Sequence, residues 1–432
     1  MTRLGLVFPG QGSQHIGMGK YMYEASASAR QYFEEASDIL RLDMAKLCFE
    51  GPMRELSRPD LMQAALVTVC MASFAVYQEQ VGIEPDFAAG HSLGEYSALV
   101  SSQAIRFADA VRLVQHRGQL ALLAIDREVG HMMVVQELEE EELLRLCSRI
   151  SSEGQLVAPA CLNAPRQTMV AGTAQAISQL EEELWKLDAK TTPLFTSPPF
   201  HTLLMEEEAN KLKQALDTIA YEPFRFPVLS GVTALPYRSE RDIAAGLAEQ
   251  LVKPIQWRRM LDYAESRQVD LVVELGPQSV LCALARENNK SFPSYSYGST
   301  EERNKLRQRL AEMPERGNVL EREYHIVERC MGIAMSVKNE NADLEAYEQG
   351  VIVPYERLEQ LCDEIDSSMQ PPSDEQLRTA MELLAVILET KHVPLEDREH
   401  IYADLLEETG VRHIVGEGYD AQPELTRIAR SS

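Results

Sequence analysis

The sequence predicts an α/β protein: a large domain built on a parallel sheet, a small ferredoxin-like subdomain inserted in it, and an α-helical C-terminal extension. Three observations carry this expectation. Short apolar runs that end in glycine-rich loops alternate with helical patterns over the first 300 residues. The stretch 126–195 reads strand, helix, strand, strand, helix, strand. From about residue 300 the strand signals nearly vanish.

Leu4 to Phe8 is an apolar run stopped by Pro9-Gly10-Gln11-Gly12-Ser13, a buried strand running into a loop. Helical patterns follow over 20–41, 53–58 and 61–80. The apolar stretch from Leu61 to Tyr77, interrupted by Gln63, Thr68 and Ser73, falls short of the roughly 20 apolar residues of a membrane span and is expected as a buried helix. A second strand at 85–89 leads directly into GHSLGEYSALV, and Phe107, Val111, Val114 and Leu120 keep one face of a helix. The inserted subdomain is expected as strand 131–136, helix 138–151, strands 155–162 and 167–171, helix 173–188 and strand 191–195. The large domain resumes with helix 203–218, strand 226–229, helix 240–252 and strand 271–275. The expected domains are therefore 1–125 with 196–299, 126–195, and 300–432.

In the extension, Pro354 is expected at a first helical position. Ser373 with Gln376 forms a capping-box signature, and Leu377, Met381, Leu384 and Leu388 then share one helix face. Pro394 opens a further helix that Gly410 would close, and the last twenty or so residues read as frayed.

Composition narrows the function. Of 432 residues 45% are apolar and 25% charged, which excludes a chain disordered throughout, a collagen and a small disulfide scaffold. With 42 Lys and Arg against 67 Asp and Glu, the net charge of −25 repels phosphate backbones and argues against a nucleic-acid partner. Residues 301–432 hold 29 acidic and 15 basic side chains, so they carry −14 of that excess. The seven cysteines are odd in number and none pairs at CxxC spacing, so reduced, mostly buried thiols are expected rather than disulfides or a zinc site. The opening MTRLGLVFPGQGSQ has no apolar leader region, and a cytoplasmic protein without membrane contact is expected. No HExxH, P-loop or strand-borne GxGxxG occurs, so neither a metal nor a nucleotide cofactor is implied.

The strongest chemical signal is Gly90-His91-Ser92-Leu93-Gly94, a GxSxG between an apolar strand and a helix. A sharp strand-to-helix turn crowds the backbone, which is why glycine flanks the serine on both sides. The turn holds the hydroxyl at the carboxyl end of the strand, above the positive end of the helix. His91 is part of this turn, is expected to shape the pocket and is given no acid–base role. The acidic run Glu139 to Glu142 reads as a solvated helix start.

Seven separated blocks go further: FPGQGSQ at 8–14, GHSLGEYSAL at 90–99, HRG at 116–118, NAPRQTMVAG at 163–172, PPFHTLLM at 198–205, LAEQLVKPIQW at 247–257 and ELGPQSVL at 274–281. In order and spacing they resemble the malonyl-CoA:acyl carrier protein transacylases, over residues of about 3–290. The resemblance implies a hydrolase-like large domain and a ping-pong acyl transfer between malonyl-CoA and the phosphopantetheine arm of an acyl carrier protein, with no cofactor of its own. By position, Ser92 matches the nucleophile and His201 the base that takes its proton. Gln250 matches the residue whose backbone carbonyl orients the histidine in place of a triad acid. Gln11 and the N–H of Leu93 match the oxyanion donors. Arg117 matches the clamp on the malonyl carboxylate, because a planar guanidinium takes a carboxylate through two parallel hydrogen bonds. Phe200 fits a malonyl-type pocket.

Three positions depart from the family pattern. Ala121 stands where methionine is usual and would enlarge the acyl pocket. Gly276-Pro277-Gln278 replaces a GPG turn, and His131-Met132-Met133 replaces small residues. The extension from 300 lies beyond the family's usual length. It suggests a transferase serving a polyketide or hybrid polyketide–peptide assembly line in trans, with assembly-line proteins as partners of the extension; a housekeeping fatty-acid role is the alternative. A hydrolase that releases stalled acyl groups typically lacks the clamping arginine, which this chain keeps. A non-catalytic scaffold is disfavoured by the intact Ser92, His201 and Arg117.

Overall fold

In the computed structural model of the chain, residues 3–152, 155–194, 197–313, 319–339, 341, 343–368 and 372–409 are described. The first apolar run forms strand β1, Leu4–Phe8, buried along its length. The second forms β2, Phe87–Gly90. The subdomain strands are β3, His131–Gln136, β4, Val157–Ala164, β5, Gln167–Gly172, and β6, Lys190–Leu194. They are followed by β7, Val228–Leu229, β8, Leu271–Glu274, and β9, Ser294–Ser296. The large sheet has the order β7-β2-β1-β8-β9, with every pairing parallel. Its loops at the carboxyl ends of β1, β2 and β8 lie side by side, the place where open parallel sheets gather ligands. The small sheet is antiparallel in the order β4-β5-β3-β6, covered by helices Glu140–Ser152 and Ala174–Trp185. That is the ferredoxin-like order expected from the sequence. Leu162 N–H to Ile255 O and Ile255 N–H to Ala160 O, both 2.9 Å, stitch it to the large domain.

Helix Pro59–Gln80 is buried almost throughout. It is long and apolar enough to cross a membrane, but here it is the central core helix of the α/β unit. The helical stretch expected over 20–41 divides into Lys20–Ala25 and Ala27–Leu40. The reason is local: Ser26 is extended and its hydroxyl accepts the Ala29 N–H at 3.0 Å, so it caps the second helix instead of continuing the first. Helices Met44–Glu50, Trp257–Ser266 and Val280–Glu287 and strand β9 were not anticipated. All seven cysteines are free thiols, six of them buried.

Two compact units result, residues 2–313 and 314–432. Helix Thr300–Glu312, expected to open the extension at 300, belongs to the first. Its Arg303 is buried, donates to the Tyr297 carbonyl and stacks 3.8 Å over the Tyr21 ring, so the division falls after Met313.

The second unit is all-helical among its described residues: Val319–Ser336, Leu344–Tyr347, Val353–Ser368, Asp374–Thr390 and Leu395–Thr409. Ser373 and Gln376 form the expected capping box. Leu377, Met381, Leu384 and Leu388 face inward onto Ile326, Cys330, Leu358 and Leu361 in a core of the unit's own. Pro354 does not begin a helix. It lies one residue into Val353–Ser368, just after a π turn, Glu348–Ile352. The wider turn accommodates a ring that lacks an N–H and would crowd the carbonyl four residues back. Gly410 and the stretch expected to fray lie outside the described residues.

Candidate active site

Strand β2 ends at Gly90 and the next helix, Gly94–Ser101, starts four residues later, so the chain reverses over His91, Ser92 and Leu93. Ser92 adopts φ 52°, a left-handed conformation that a non-glycine residue holds only when its surroundings impose it. The flanking glycines show what imposes it. A Cβ at Gly90 would lie 2.0 Å from Glu95 N, and one at Gly94 would lie 2.0 Å from Phe8 O. Any larger residue at either position would force the turn open.

His201 follows Pro198-Pro199-Phe200 and is also left-handed, at φ 66°, with its N–H fixed on Leu251 O at 2.7 Å. Its Nε2 accepts the Ser92 hydroxyl at 2.8 Å, and its Nδ1–H donates to Gln250 O at 2.6 Å. The second bond selects the tautomer with the free lone pair on Nε2, the nitrogen facing the serine. Burial lowers the His201 pKa to about 3, helped by the Arg117 charge and opposed by the bond to Gln250 O. The imidazole is therefore neutral and able to receive a proton at pH 7.

Arg117 projects from helix Phe107–Asp126. Gly118 lets that helix settle on the start of helix Pro59–Gln80, since a Cβ there would meet Asp60 Cα at 2.4 Å. Arg117 is 2% exposed. Nη2 donates to Ser92 Oγ at 3.2 Å, Nη1 donates to Gln63 Oε1 at 2.9 Å, and its face lies 4.5 Å over the Phe200 ring. Its Nε has no hydrogen-bond partner, and no ion pair joins it to a carboxylate among the described residues. A buried, unpaired guanidinium beside a nucleophilic hydroxyl is a ready anion subsite.

The loop after β1 lies against the serine turn. A Cβ on Gly10 would fall 2.4 Å from His91 O and 3.6 Å from Leu93 N, so the backbone passes close to the start of the helix. Gln11 is exposed and its side-chain amide donates to Ser197 Oγ at 2.8 Å, beside the His201 loop. Leu93 stands at the helix start and is buried. On the other side His91 bonds Asn163 Oδ1 at 2.8 Å, which gives the NAPRQ block its place. The unusual Gln278 sits at φ 64°, a conformation natural to the glycine it replaces. Its Nε2 offsets this by donating to Ser13 O at 3.0 Å, tying the β8 turn to the β1 loop. Ala121 is fully buried, in the same apolar cluster as Phe200 and Met132.

The structure thus gathers Ser92, His201, Gln250, Arg117 and Phe200 within direct contact and brings the Gln11 and Leu93 loops alongside. Sequence reasoning missed Gln63 as the partner of Arg117. Its signal was present as the one amide among the three polar residues, Gln63, Thr68 and Ser73, that interrupt the apolar stretch 61–77, because a fully buried amide needs a partner.

The chain as a whole resembles known proteins in sequence and in fold. Residues 6–312 match the family model described as acyl transferase domain. A malonyl CoA-acyl carrier protein transacylase of Bacillus subtilis is 32% identical over 395 residues, covering 91% of this chain and 98% of that protein. One from Bacillus subtilis strain 168 is 37% identical over 303 residues, covering 70% of this chain and 95% of its own. Among solved structures, a chain from a complex of a type II PKS acyl-carrier protein with its malonyl-transacylase aligns with TM-score 0.67 and 35% identity, over 70% of this chain and 97% of that one. FabD from Acinetobacter baumannii aligns with TM-score 0.69 and 32% identity, over 72% and 99%.

Proposed function

The chain belongs to the acyl transferase domain family, and from that premise we propose that it transfers malonyl groups from malonyl-CoA to the phosphopantetheine thiol of an acyl carrier protein. The single observation that carries the reading is the buried Arg117, in no ion pair with a carboxylate among the described residues and 3.2 Å from the hydroxyl of Ser92. Arg117 clamps the terminal carboxylate of malonyl-CoA, with Gln63 fixing the guanidinium and Phe200 stacked on it. Ser92 Oγ attacks the thioester carbon while its proton passes to His201 Nε2. The tetrahedral oxyanion is held by the backbone N–H groups of Gln11 and Leu93. Collapse breaks the carbon–sulfur bond, and the CoA sulfur leaves with the proton from His201. In the second half the carrier thiol gives its proton to His201 and attacks the malonyl ester, and Ser92 recovers its proton. The reaction exchanges one thioester for another through a serine ester, so no added cofactor is needed, and the site lies in a chain expected in the cytoplasm.

Intact-mass measurement after brief exposure to acyl-CoAs tests this. One malonyl increment, confined to Ser92 and discharged by a holo carrier protein faster than by water, is the expected result. An ester that water discharges as fast as the carrier does would make the enzyme a hydrolase.

The depressed His201 pKa sets the pH dependence. A histidine at its ordinary value of 6.5 would be protonated, and the acylation rate would fall about tenfold per pH unit below that value. With the folded value near 3, the base form persists, so the titration of His201 itself takes nothing from kcat/KM for malonyl-CoA between pH 7 and about pH 5. A break near 6.5 that persists when Glu95, the buried carboxyl whose pKa is raised to about 7, is replaced by Gln would contradict the assignment. Stability follows the opposite course. The unfolded chain binds the proton first, so the stability present above pH 6.5 is lost as pH falls from there toward 3.

The carrier served is proposed to be one of a polyketide or hybrid polyketide–peptide line, met in trans. Two findings support this: the likeness to the transacylase held by a type II PKS carrier, and the helical unit after Met313. That unit has a counterpart in the Bacillus subtilis relative matched over 91% of this chain, a share that residues 2–313 cannot supply; the strain 168 protein is matched over 70%. The unit is strongly acidic, so it repels acidic carriers at long range and is assigned to another assembly-line protein. A chain cut after Met313 should fold and acylate Ser92 at the full-length rate, measured by stopped-flow or rapid-quench mass. Transfer to the cognate carrier, or solubility, is where it should differ. Collapse of acylation in a folded truncation would place the unit in the active site.

A further inference from the structure

We infer that Glu95 is a positioning residue of the transfer site, holding the Gln250 peptide against His201 from a buried anionic anchor that Tyr237 and Gly231 complete. This rests on the acyl-transfer reading of Ser92 but not on the identity of the acyl group.

Glu95 stands one helical turn after the nucleophile, its own N–H bonded to Ser92 O at 3.1 Å, and it is 0% exposed. Its carboxylate makes no contact with His201. Oε2 accepts from Gln250 Nε2 at 2.6 Å and from Gly231 N–H at 3.0 Å, and Oε1 accepts from the Tyr237 hydroxyl at 2.5 Å. All three partners are donors, so the group is satisfied as an anion without a proton of its own. The approach of Gly231 needs glycine: a Cβ there would lie 2.7 Å from Glu95 Oε2.

Gln250 is what connects this cluster to the chemistry. Its backbone oxygen takes the His201 Nδ1–H at 2.6 Å, and its side-chain Nε2 is shared between Glu95 and Ser92 O, the latter at 3.1 Å. One residue therefore grips the base through its main chain and the nucleophile's peptide through its side chain, and Glu95 fixes that side chain. In a Ser-His-Asp arrangement the acid touches the imidazole directly. Here a peptide carbonyl does so, which orients the ring but carries no net charge. Glu95 places a charge one residue away, where it offsets the buried Arg117 and holds the Gln250 peptide that orients the imidazole. Burial pushes its pKa up to about 7, while Tyr237, Gln250, Gly231 and the Arg117 charge pull it down, so the variants are compared at about pH 8, where the carboxylate is ionised.

Glu95→Gln keeps the shape but removes the charge and turns an N–H against one of the three donors. With malonyl-CoA in rapid-quench mass measurements, the expected result is full labelling, close to one malonyl per chain, reached about 10- to 100-fold more slowly. KM should stay within about twofold of the wild type, because the substrate never meets this carboxylate. Tyr237→Phe deletes a single donor from the cluster and is the gentler probe, expected to slow acylation by roughly two- to tenfold at unchanged amplitude. A Glu95→Gln rate per labelled site equal to the wild type, whatever the amplitude, overturns the proposal, since the residue would then only support the fold. If Glu95→Gln does not fold, an unchanged rate per site in Tyr237→Phe overturns it instead. A wild type that takes another acyl group but no malonyl would overturn the malonyl reading alone, and the same comparison would then be made with the acyl-CoA that labels.

Discussion

Ser92→Ala gains no acyl mass from malonyl-CoA or any other acyl-CoA. The turn between β2 and the helix Gly94–Ser101 presents one hydroxyl, and it is the one bonded to His201 Nε2 at 2.8 Å. The cysteines offer no substitute, because six of the seven are buried and burial raises their pKa, Cys70 for example to about 12. Loss of the nucleophile in related Ser-His sites costs on the order of 10⁶ in rate, and loss of the base gives a comparable effect that does not add to it. Ser92→Ala combined with His201→Ala should therefore behave as Ser92→Ala does. Because Ser92 sits at φ 52°, Ser92→Gly is the cleaner control for folding, since glycine occupies that region without strain. Thermal unfolding of the Gly variant should match the wild type within about 1 kcal/mol. A malonyl increment on either variant would assign the nucleophile to another residue.

The legible parts of the sequence were those in which chemistry and local geometry use the same few residues. The glycines at 90 and 94 are needed both to make the turn and to expose the serine, so the motif reports the fold and the nucleophile together. The subdomain was readable because its strand and helix periods change cleanly along the chain, and β3 emerged over the expected residues, 131–136. What stayed hidden depends on pairings between distant residues. Gln63 meets Arg117 across 54 positions, and Glu95 meets Gln250 across 155, and no spacing rule connects them. Strand β9, three residues of Ser-Tyr-Ser at a sheet edge, carries no apolar run to announce it and exists because β8 offers it a partner. The boundary after Met313 follows from helix Thr300–Glu312 burying Leu306 and Arg303 in the first unit, and sequence alone would place Arg303 on a solvated face. Likewise Pro354 looked like a helix start because nothing local reveals that a π turn precedes it.

Arg117→Ala inverts the acyl preference. The wild-type guanidinium is buried and selects an acyl group that brings its own negative charge. Removing one partner of a buried charge pair costs about 3–5 kcal/mol, which is roughly 10² to 10⁴ in kcat/KM for malonyl-CoA. Acetyl-CoA brings no carboxylate, so it loses only what Arg117 gives the apo site: the 3.2 Å bond to Ser92 Oγ and the packing on Phe200. That loss is offset in part. The Arg117 charge is one of the influences lowering the His201 pKa, so its removal leaves a more basic imidazole. Arg117→Lys separates charge from geometry. An ammonium keeps the attraction but loses the planar fork and the ring stacking, so malonyl transfer should fall between the two, with malonyl still preferred. Ala121, buried in the same apolar cluster as Phe200, is the position expected to enlarge the acyl pocket. Ala121→Met restores the bulk usual in the family and should sharpen malonyl over larger acyl groups, leaving the carboxylate term intact. The measurement is a competition of malonyl-CoA against acetyl-CoA, read as the two ester masses on Ser92 at short times. A malonyl-to-acetyl ratio in Arg117→Ala equal to the wild type would remove Arg117 from substrate selection.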